Sequence, residues 1–273
     1  MHPMLNIAVR AARAGGKIIM RNFDRLDRVR VTEKSAKDFV SDVDRQAEAE
    51  IVHVLHKAYP DHGFLAEESG ELAGKADDGY RWIIDPLDGT TNFLHGFPQF
   101  AVSIALAYRN RLEQAVVYNP VSQDIYTASR GAGAELNNRR IRVSNCRSLN
   151  TALLGTGLPF REGDDFDAEF AVLRTFAEKT VGIRRPGAAA LDLASVAAGQ
   201  FDGFYESRLQ AWDIAAGALL VREAGGLVTD LAGGENWLQS GSIVAATPKL
   251  LPELLATLLP HAAVMTAGHK TGI

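Results

Sequence analysis

At 273 residues, with 47% hydrophobic content, 23% charge and 25 glycines, the chain has the make-up of an ordinary globular protein long enough to bury a sizeable core. A net charge of -4 argues against a dedicated nucleic-acid binder, although a local basic patch stays open. The single cysteine, Cys146, excludes an intramolecular disulfide. No apolar run is long enough to span a bilayer, and the arginines scattered through the first apolar residues do not make a signal peptide, so the expectation is a cytoplasmic protein with no membrane partner.

Leu5, Ala8, Val9, Ala12, Ile19 and Phe23 recur at helical spacing and predict an amphipathic first helix. The charged stretch Asp24 to Asp38, with Lys34 and Lys37 inside it, reads as a mobile loop of the kind that can also close over a ligand. A second helix is expected from about Asp42, capped by Asp42 or Asp44, with His53 and His56 at its surface. Phe64-Leu65-Ala66 is a short strand that ends in the acidic loop Glu67-Glu68-Ser69-Gly70-Glu71. From Phe100 to Val143, short alternating runs predict an antiparallel meander with strands near 100–108, 111–118, 124–129 and 134–136. Arg139, Arg140, Arg142 and Arg147 form the one basic cluster and read as a solvated hairpin edge. The second half alternates: strand 152–155, helix 165–179, strand 181–184, helix 189–198 and strand 201–206. A helix from Trp212-Asp213 to Gly225, short strands at 227–229 and 243–246, a helix from Pro248 to about Leu259 and a frayed tail from His261 complete it. The pattern predicts an α/β fold with a sheet in each half, 1–145 and 146–273, and helices between or outside them.

The chemistry concentrates in Trp82 to Phe93, WIIDPLDGTTNF. A buried strand, Trp82-Ile83-Ile84, is expected to stop at Asp85 or Pro86, because proline cannot donate to a ladder. Asp85 and Asp88 then fall three residues apart in a tight turn. Paired carboxylates beside a buried strand repel unless a cation lies between them, and with the carbonyl of Leu87 they suit a hard ion such as Mg²⁺. Gly89 would let the backbone approach an anion, and Thr90 would cap a short helix whose amides hold a phosphate. The plainer alternative is an Asp-Pro turn with a solvated cap. Three more acids weigh against it. Glu67 and Glu206 also end apolar runs, and Asp213 begins a helix, where it is a good N-cap. Five acids without a ring of histidines or cysteines point to Mg²⁺ rather than Zn²⁺, and two such ions can assist an in-line phosphoryl transfer.

WIIDPLDGTTNF and WDIAAGALLVREAGG (Trp212–Gly226) resemble the two signatures of the inositol monophosphatase family. DFVSDVD at Asp38–Asp44, EES at Glu67–Ser69 and RRPGAAALDLASVAAGQFDGFYE at Arg184–Glu206 follow in that family's order. The similarity covers nearly the whole chain, as one domain over 1–273, and leans toward the bacterial SuhB-type branch. The resemblance implies an αβαβα sandwich of the inositol monophosphatase / fructose-1,6-bisphosphatase type, usually a homodimer. It implies Mg²⁺-dependent, lithium-sensitive hydrolysis of a phosphate ester such as inositol monophosphate, without a phosphoenzyme. By the same resemblance, Glu67, Asp85 and the Leu87 carbonyl would hold one Mg²⁺, and Asp85, Asp88 and Asp213 a second. Glu67 would take part in a weaker third. Thr90 with Glu67 would orient the attacking water, and Asp44 would polarise Thr90. The Gly89 and Thr90 amides would bind phosphate, while Asp88, Glu206, Asp213 and the backbone of Ala189 would meet the substrate. Lys34 would lie in a metal-binding loop. Fructose 1,6-bisphosphate and 3′-phosphoadenosine nucleotides are rival substrates. The resemblance also implies a binding role, because members of that branch associate with RNA polymerase, Nus factors and antitermination complexes on ribosomal RNA. The arginine cluster or Arg184-Arg185 would serve it.

Overall fold

The computed structural model describes residues 2–35, 38–74, 79–158 and 166–267. The first half runs α1 (Pro3–Phe23), β1 (Val31–Ser35), β2 (Asp38–Ser41), α2 (Asp42–Ala58), β3 (Gly63–Ala66), β4 (Gly70–Leu72), β5 (Tyr80–Asp88) and α3 (Thr90–Leu94). The meander follows as β6 (Ala101–Tyr108), β7 (Arg111–Asn119), β8 (Asp124–Ser129), β9 (Gly133–Leu136) and β10 (Arg139–Arg140). The second half comprises β11 (Leu153–Thr156), α4 (Phe166–Lys179), β12 (Gly182–Arg184), α5 (Ala189–Ala197), β13 (Gly203–Glu206) and α6 (Ala211–Glu223). It closes with β14 (Leu227–Thr229), α7 (Trp237–Ser240), β15 (Ile243–Ala246), α8 (Leu251–Leu258) and α9 (Ala262–Met265).

Residue alternation in the strands builds the layers. An eight-stranded sheet has the order β10-β9-β8-β7-β6-β5-β3-β4, and a five-stranded sheet the order β12-β11-β13-β15-β14. Trp82 and Ile84 of β5, with Val102, Ile104 and Leu106 of β6, face one core shared with α1 and α2. Their neighbours Ile83, Ala101, Ala105 and Ala107 face the opposite core, shared with α5 and α6. Successive side chains of a strand point to opposite faces, so one strand feeds both layers. Phe204, Ile243 and Ala245 of the five-stranded sheet close the far side of α5 and α6. Leu154, Tyr205, Val244 and Ala246 pack outward against α4, α8 and α9. The result is an αβαβα sandwich.

Several elements depart from the sequence reading. The stretch expected as a mobile loop contains a 3₁₀ turn at Leu26–Arg28 and the hairpin β1–β2, in which Thr32 pairs with Val40. Its β-branched residues favour a strand more than its charge suggests. Lys34 stands on β1; its side chain, and Lys37 altogether, lie outside the described residues. The end of the expected acidic loop pairs as β4, an edge strand on β3. Neither Asp42 nor Asp44 caps α2: Ser41 does, and Asp44 completes a capping box by accepting from the Ser41 amide at 2.9 Å. The last long helix begins at Leu251 rather than Pro248, and the tail is not frayed throughout, since α9 buries Ala262 and Met265.

The middle layer depends on small residues. A Cβ on Gly217 of α6 would stand 2.5 Å from Cβ of Leu193 on α5. Gly217→Ala should therefore lower unfolding free energy by about 1–3 kcal/mol through overpacking, although alanine is the better helix former by about 1 kcal/mol. Urea titration checks this, and an unchanged midpoint would mean that α5 and α6 part easily.

Candidate active site

The strand carrying Asp85 does not stop at Pro86. β5 continues to Asp88, with Asp85 paired to Ser103 and Asp88 to Ala101, so three steps on β5 match two on β6. That extra residue is a bulge, where proline's missing N–H costs the ladder little. The Asp85 carboxylate accepts from the Leu87 amide at 2.9 Å, which closes the turn. Gly89 follows at φ 89°, and a Cβ there would stand 2.9 Å from the Gln99 carbonyl oxygen, so the turn requires glycine. Gly89, not Thr90, is the N-cap of α3, and Thr90 is the first helical residue.

Strand register gathers the other acids. β3 and β5 run parallel with Ala66 opposite Ile84, and the Glu67 amide donates to the Ile84 carbonyl at 3.2 Å. Glu67 and Asp85 thus leave adjacent strands at the same level. Ser103, the β6 partner of Asp85, donates through its hydroxyl to the Trp212 carbonyl at 3.1 Å, which seats the start of α6 over the bulge. Asp213 is not the N-cap expected of it; it is the third residue of α6 and accepts from the Gln210 amide at 2.7 Å. Asp88 crosses between the halves of the chain by accepting from the Ala190 amide at 2.8 Å. Ala189 is the buried first residue of α5, and Glu206 is the half-buried end of β13.

Thr90 sits beside this group. Its hydroxyl lies 2.9 Å from Asp44 Oδ1 and 3.1 Å from the Leu87 carbonyl oxygen. Burial pushes the Asp44 carboxyl up, against hydrogen bonds from Ser41 and Thr90 that pull it down.

Sequence reasoning missed four supporting residues. Besides Ser103, the Asn92 side-chain amide donates to the Gln99 and Pro186 carbonyls at 2.7 and 2.8 Å, tying α3 to the approach of α5. Glu48, one helical turn beyond Asp44, accepts from the Glu68 and Ser69 amides, both at 2.8 Å. Asp192 is buried on α5 with neither carboxylate oxygen hydrogen-bonded. Burial, then the charges of Glu206 and Asp88, push its carboxyl well up, while Arg185 opposes them. An acid within the apolar run Ala188–Ala194 was the available signal for Asp192, and the four-residue spacing from Asp44 the signal for Glu48.

The electrostatics are those of crowded like charge. Burial, followed by Glu67, Asp88 and Asp213, pushes the Asp85 carboxyl well above the ordinary range. Asp88 is raised by burial and Asp213, then by Glu206 and Glu67, while the Ala190 N–H pulls the other way. Among the described residues, no three histidine, cysteine or acidic side chains already form a metal cage. The arginines at 139, 140, 142 and 147 are all exposed, as are Arg184, Arg185, His53 and His56. No described helix is long and apolar enough to cross a membrane.

A carboxyl that titrates higher when folded binds more protons folded than unfolded, so its contribution to stability falls as pH rises from about 4 through the folded value. In EDTA, Asp85→Asn should stabilise the protein on the order of 1 kcal/mol, and by more at pH 8 than at pH 5. Thermal unfolding at both pH values checks this; a destabilised variant at pH 8 would mean that the acids do not repel.

Residues 1–263 match the inositol monophosphatase family. The chain is 56% identical over 264 residues to the Nus factor SuhB of Pseudomonas aeruginosa, covering 96% of this chain and 97% of that one. The crystal structure of the extragenic suppressor protein suhB from Bartonella henselae superposes with a TM-score of 0.91 at 46% identity, covering 94% and 98% of the two chains. The inositol monophosphatase of Anabaena (Nostoc) sp. PCC 7120 superposes with a TM-score of 0.81 at 36% identity, covering 94% and 95%. The chain belongs to the inositol monophosphatase family.

Proposed function

We propose that the protein is a Mg²⁺-dependent phosphomonoesterase that hydrolyses inositol monophosphate and related polyol monophosphates. The observation that carries the reading is the buried pair Asp85 and Asp88, both raised by burial and then by neighbouring acids, Glu67 and Asp213 among them. An all-oxygen, strongly acidic donor set fits a hard divalent cation, which would relieve the repulsion by drawing the carboxylates together. Glu67, Asp85 and the Leu87 carbonyl would hold one ion, Asp85, Asp88 and Asp213 another, and Glu67 with water a weaker third. Bound there, Mg²⁺ supplies charge neutralisation for the phosphoryl group and acidifies water.

The chain's own residues have defined parts. Thr90 donates a hydrogen bond to Asp44 Oδ1, which leaves Oγ1 lone pairs to accept a hydrogen bond from the attacking water. As the water oxygen bonds phosphorus and the ester oxygen leaves, the water proton would pass to Thr90 and the Thr90 proton to the Asp44 carboxylate. Glu67 would orient the same water. The amides of Gly89 and Thr90 would receive the phosphate at the turn that only glycine can make. Asp88, Asp213, Glu206 and the backbone of Ala189 would meet the polyol hydroxyls. Lithium would inhibit by competing for a carboxylate site.

Phosphate release from inositol 1-phosphate, beside fructose 1,6-bisphosphate, 3′-phosphoadenosine 5′-phosphate and glycerol 2-phosphate, tests the reading. The inositol ester should turn over fastest, only with Mg²⁺, and less with lithium; preference for a bisphosphate would overturn the substrate but keep the metal. Asp85→Asn should abolish turnover. Thr90→Val should lower kcat by about 10²–10⁴-fold with little change in KM. Folded protein inert toward every ester would remove the phosphatase reading.

A second reading is favoured by the Nus factor names of several relatives and by the exposed arginine cluster. It is association with the transcription antitermination machinery, RNA polymerase and ribosomal RNA included. Tagged protein should retain RNA polymerase from a low-salt lysate, and joint replacement of Arg139, Arg140, Arg142 and Arg147 by alanine should weaken that retention. Equal retention by the two proteins would clear the cluster of the role.

A further inference from the structure

We infer that Glu48 is a positioning residue for the metal site: it braces the turn that aims Glu67. The inference rests on the Mg²⁺ reading above. Glu48 lies on α2, one helical turn after Asp44, and is buried at 4% exposure. Its two carboxylate oxygens each accept one backbone amide, Oε2 from Glu68 and Oε1 from Ser69, both at 2.8 Å. These are the two amides that directly follow Glu67. The Glu67 amide itself is held by the Ile84 carbonyl at 3.2 Å. Three consecutive amides of the turn are therefore bonded, one to the sheet and two to a single side chain on α2.

The arrangement limits where Glu67 can go. β3 ends at Ala66, and beyond it the chain must turn back into the exposed edge strand β4. Without Glu48, the Glu68 and Ser69 amides would lose their side-chain partner, and the turn would be free to sample other geometries. A bidentate carboxylate receiving two amides is a strong, directional clamp. Residue spacing adds a second consequence. Asp44 and Glu48 share one face of α2, and while Glu48 holds the turn after Glu67, Asp44 holds the Thr90 hydroxyl. One helix face thus sets both walls of the site, the metal-binding side through Glu48 and the water-orienting side through Asp44. Groups standing behind first ligands commonly contribute 10–100-fold to metal affinity.

Glu48→Gln tests this. Glutamine keeps the shape, but only one of its two terminal atoms accepts, so one amide would face an N–H. Calorimetric titration with MgCl₂ alone should give a Kd about 10–100-fold weaker than in the unmutated protein. Turnover should recover most of its value at saturating Mg²⁺, while the unfolding midpoint in EDTA should fall, because one amide of the turn loses its acceptor. A merely structural role would lower that midpoint too but leave the Kd of the folded protein unchanged, which would overturn the inference. Amide hydrogen exchange of the unmutated protein gives a second measurement that needs no variant. The Glu68 and Ser69 amides should be protected, and exchange at free-chain rates would equally overturn it. If the unmutated protein gave no Mg²⁺ heat at all, the metal reading would fall and this inference with it. Normal binding with an unchanged Kd in Glu48→Gln would remove the brace alone.

Discussion

The structure depends on carboxylates that water has largely left. Asp85 and Asp88 are buried within one bulge, and each is disfavoured in its charged form by burial and by neighbouring acids. Burying charge is costly unless it is paired or bound. The fold sets hydrogen bonds against that cost without removing it: the Leu87 amide on Asp85 and the Ala190 amide on Asp88. The Asp88–Ala190 bond also joins the first half of the chain to α5. The group that strains the site is therefore the group that joins the sheet to the middle helical layer.

The scaffold around this cluster is built for close approach. α5 and α6 lie between two sheets, and the face of the eight-stranded sheet toward them carries Ala101, Ala105 and Ala107 on β6 where its opposite face carries Val102, Ile104 and Leu106. Small side chains bring the helix starts near the strand ends, so Asp213 and the α5 amides can reach the bulge. Stability is surrendered locally at the acids and supplied by close packing elsewhere, a division common where function requires strain. α2 adds the remaining constraint, since its one face holds Thr90 through Asp44 and the turn after Glu67 through Glu48.

Reading the residues in order located much of this. Alternation in Phe100–Val143 was visible because each strand there faces two different environments, and the observed meander spans the same segment. Turn chemistry was harder. Charge hid the β1–β2 hairpin, because the lysines and acids of that stretch outweighed its β-branched residues. Caps were misjudged three times for one reason: Asp44, Thr90 and Asp213 are all good capping residues, yet Ser41, Gly89 and Gln210 occupy the cap positions. Local propensity ranks candidates within a few residues, whereas the strand that delivers the chain decides which one stands at the helix end.

The sequence by itself determined the donor chemistry: five acids at strand ends and helix starts, and a glycine beside them where the backbone can approach an anion. These follow from residue type and local spacing, which folding does not alter. Only the tertiary structure decided which acids meet and what holds them. Glu67 reaches Asp85 through parallel register across 18 residues, and Asp88 reaches α5 across 102. Glu48 and Asp192 passed unnoticed in the sequence, and only packing gave the first two amides and left the second with none. Burial and long-range pairing belong to the folded chain, and no local pattern encodes them.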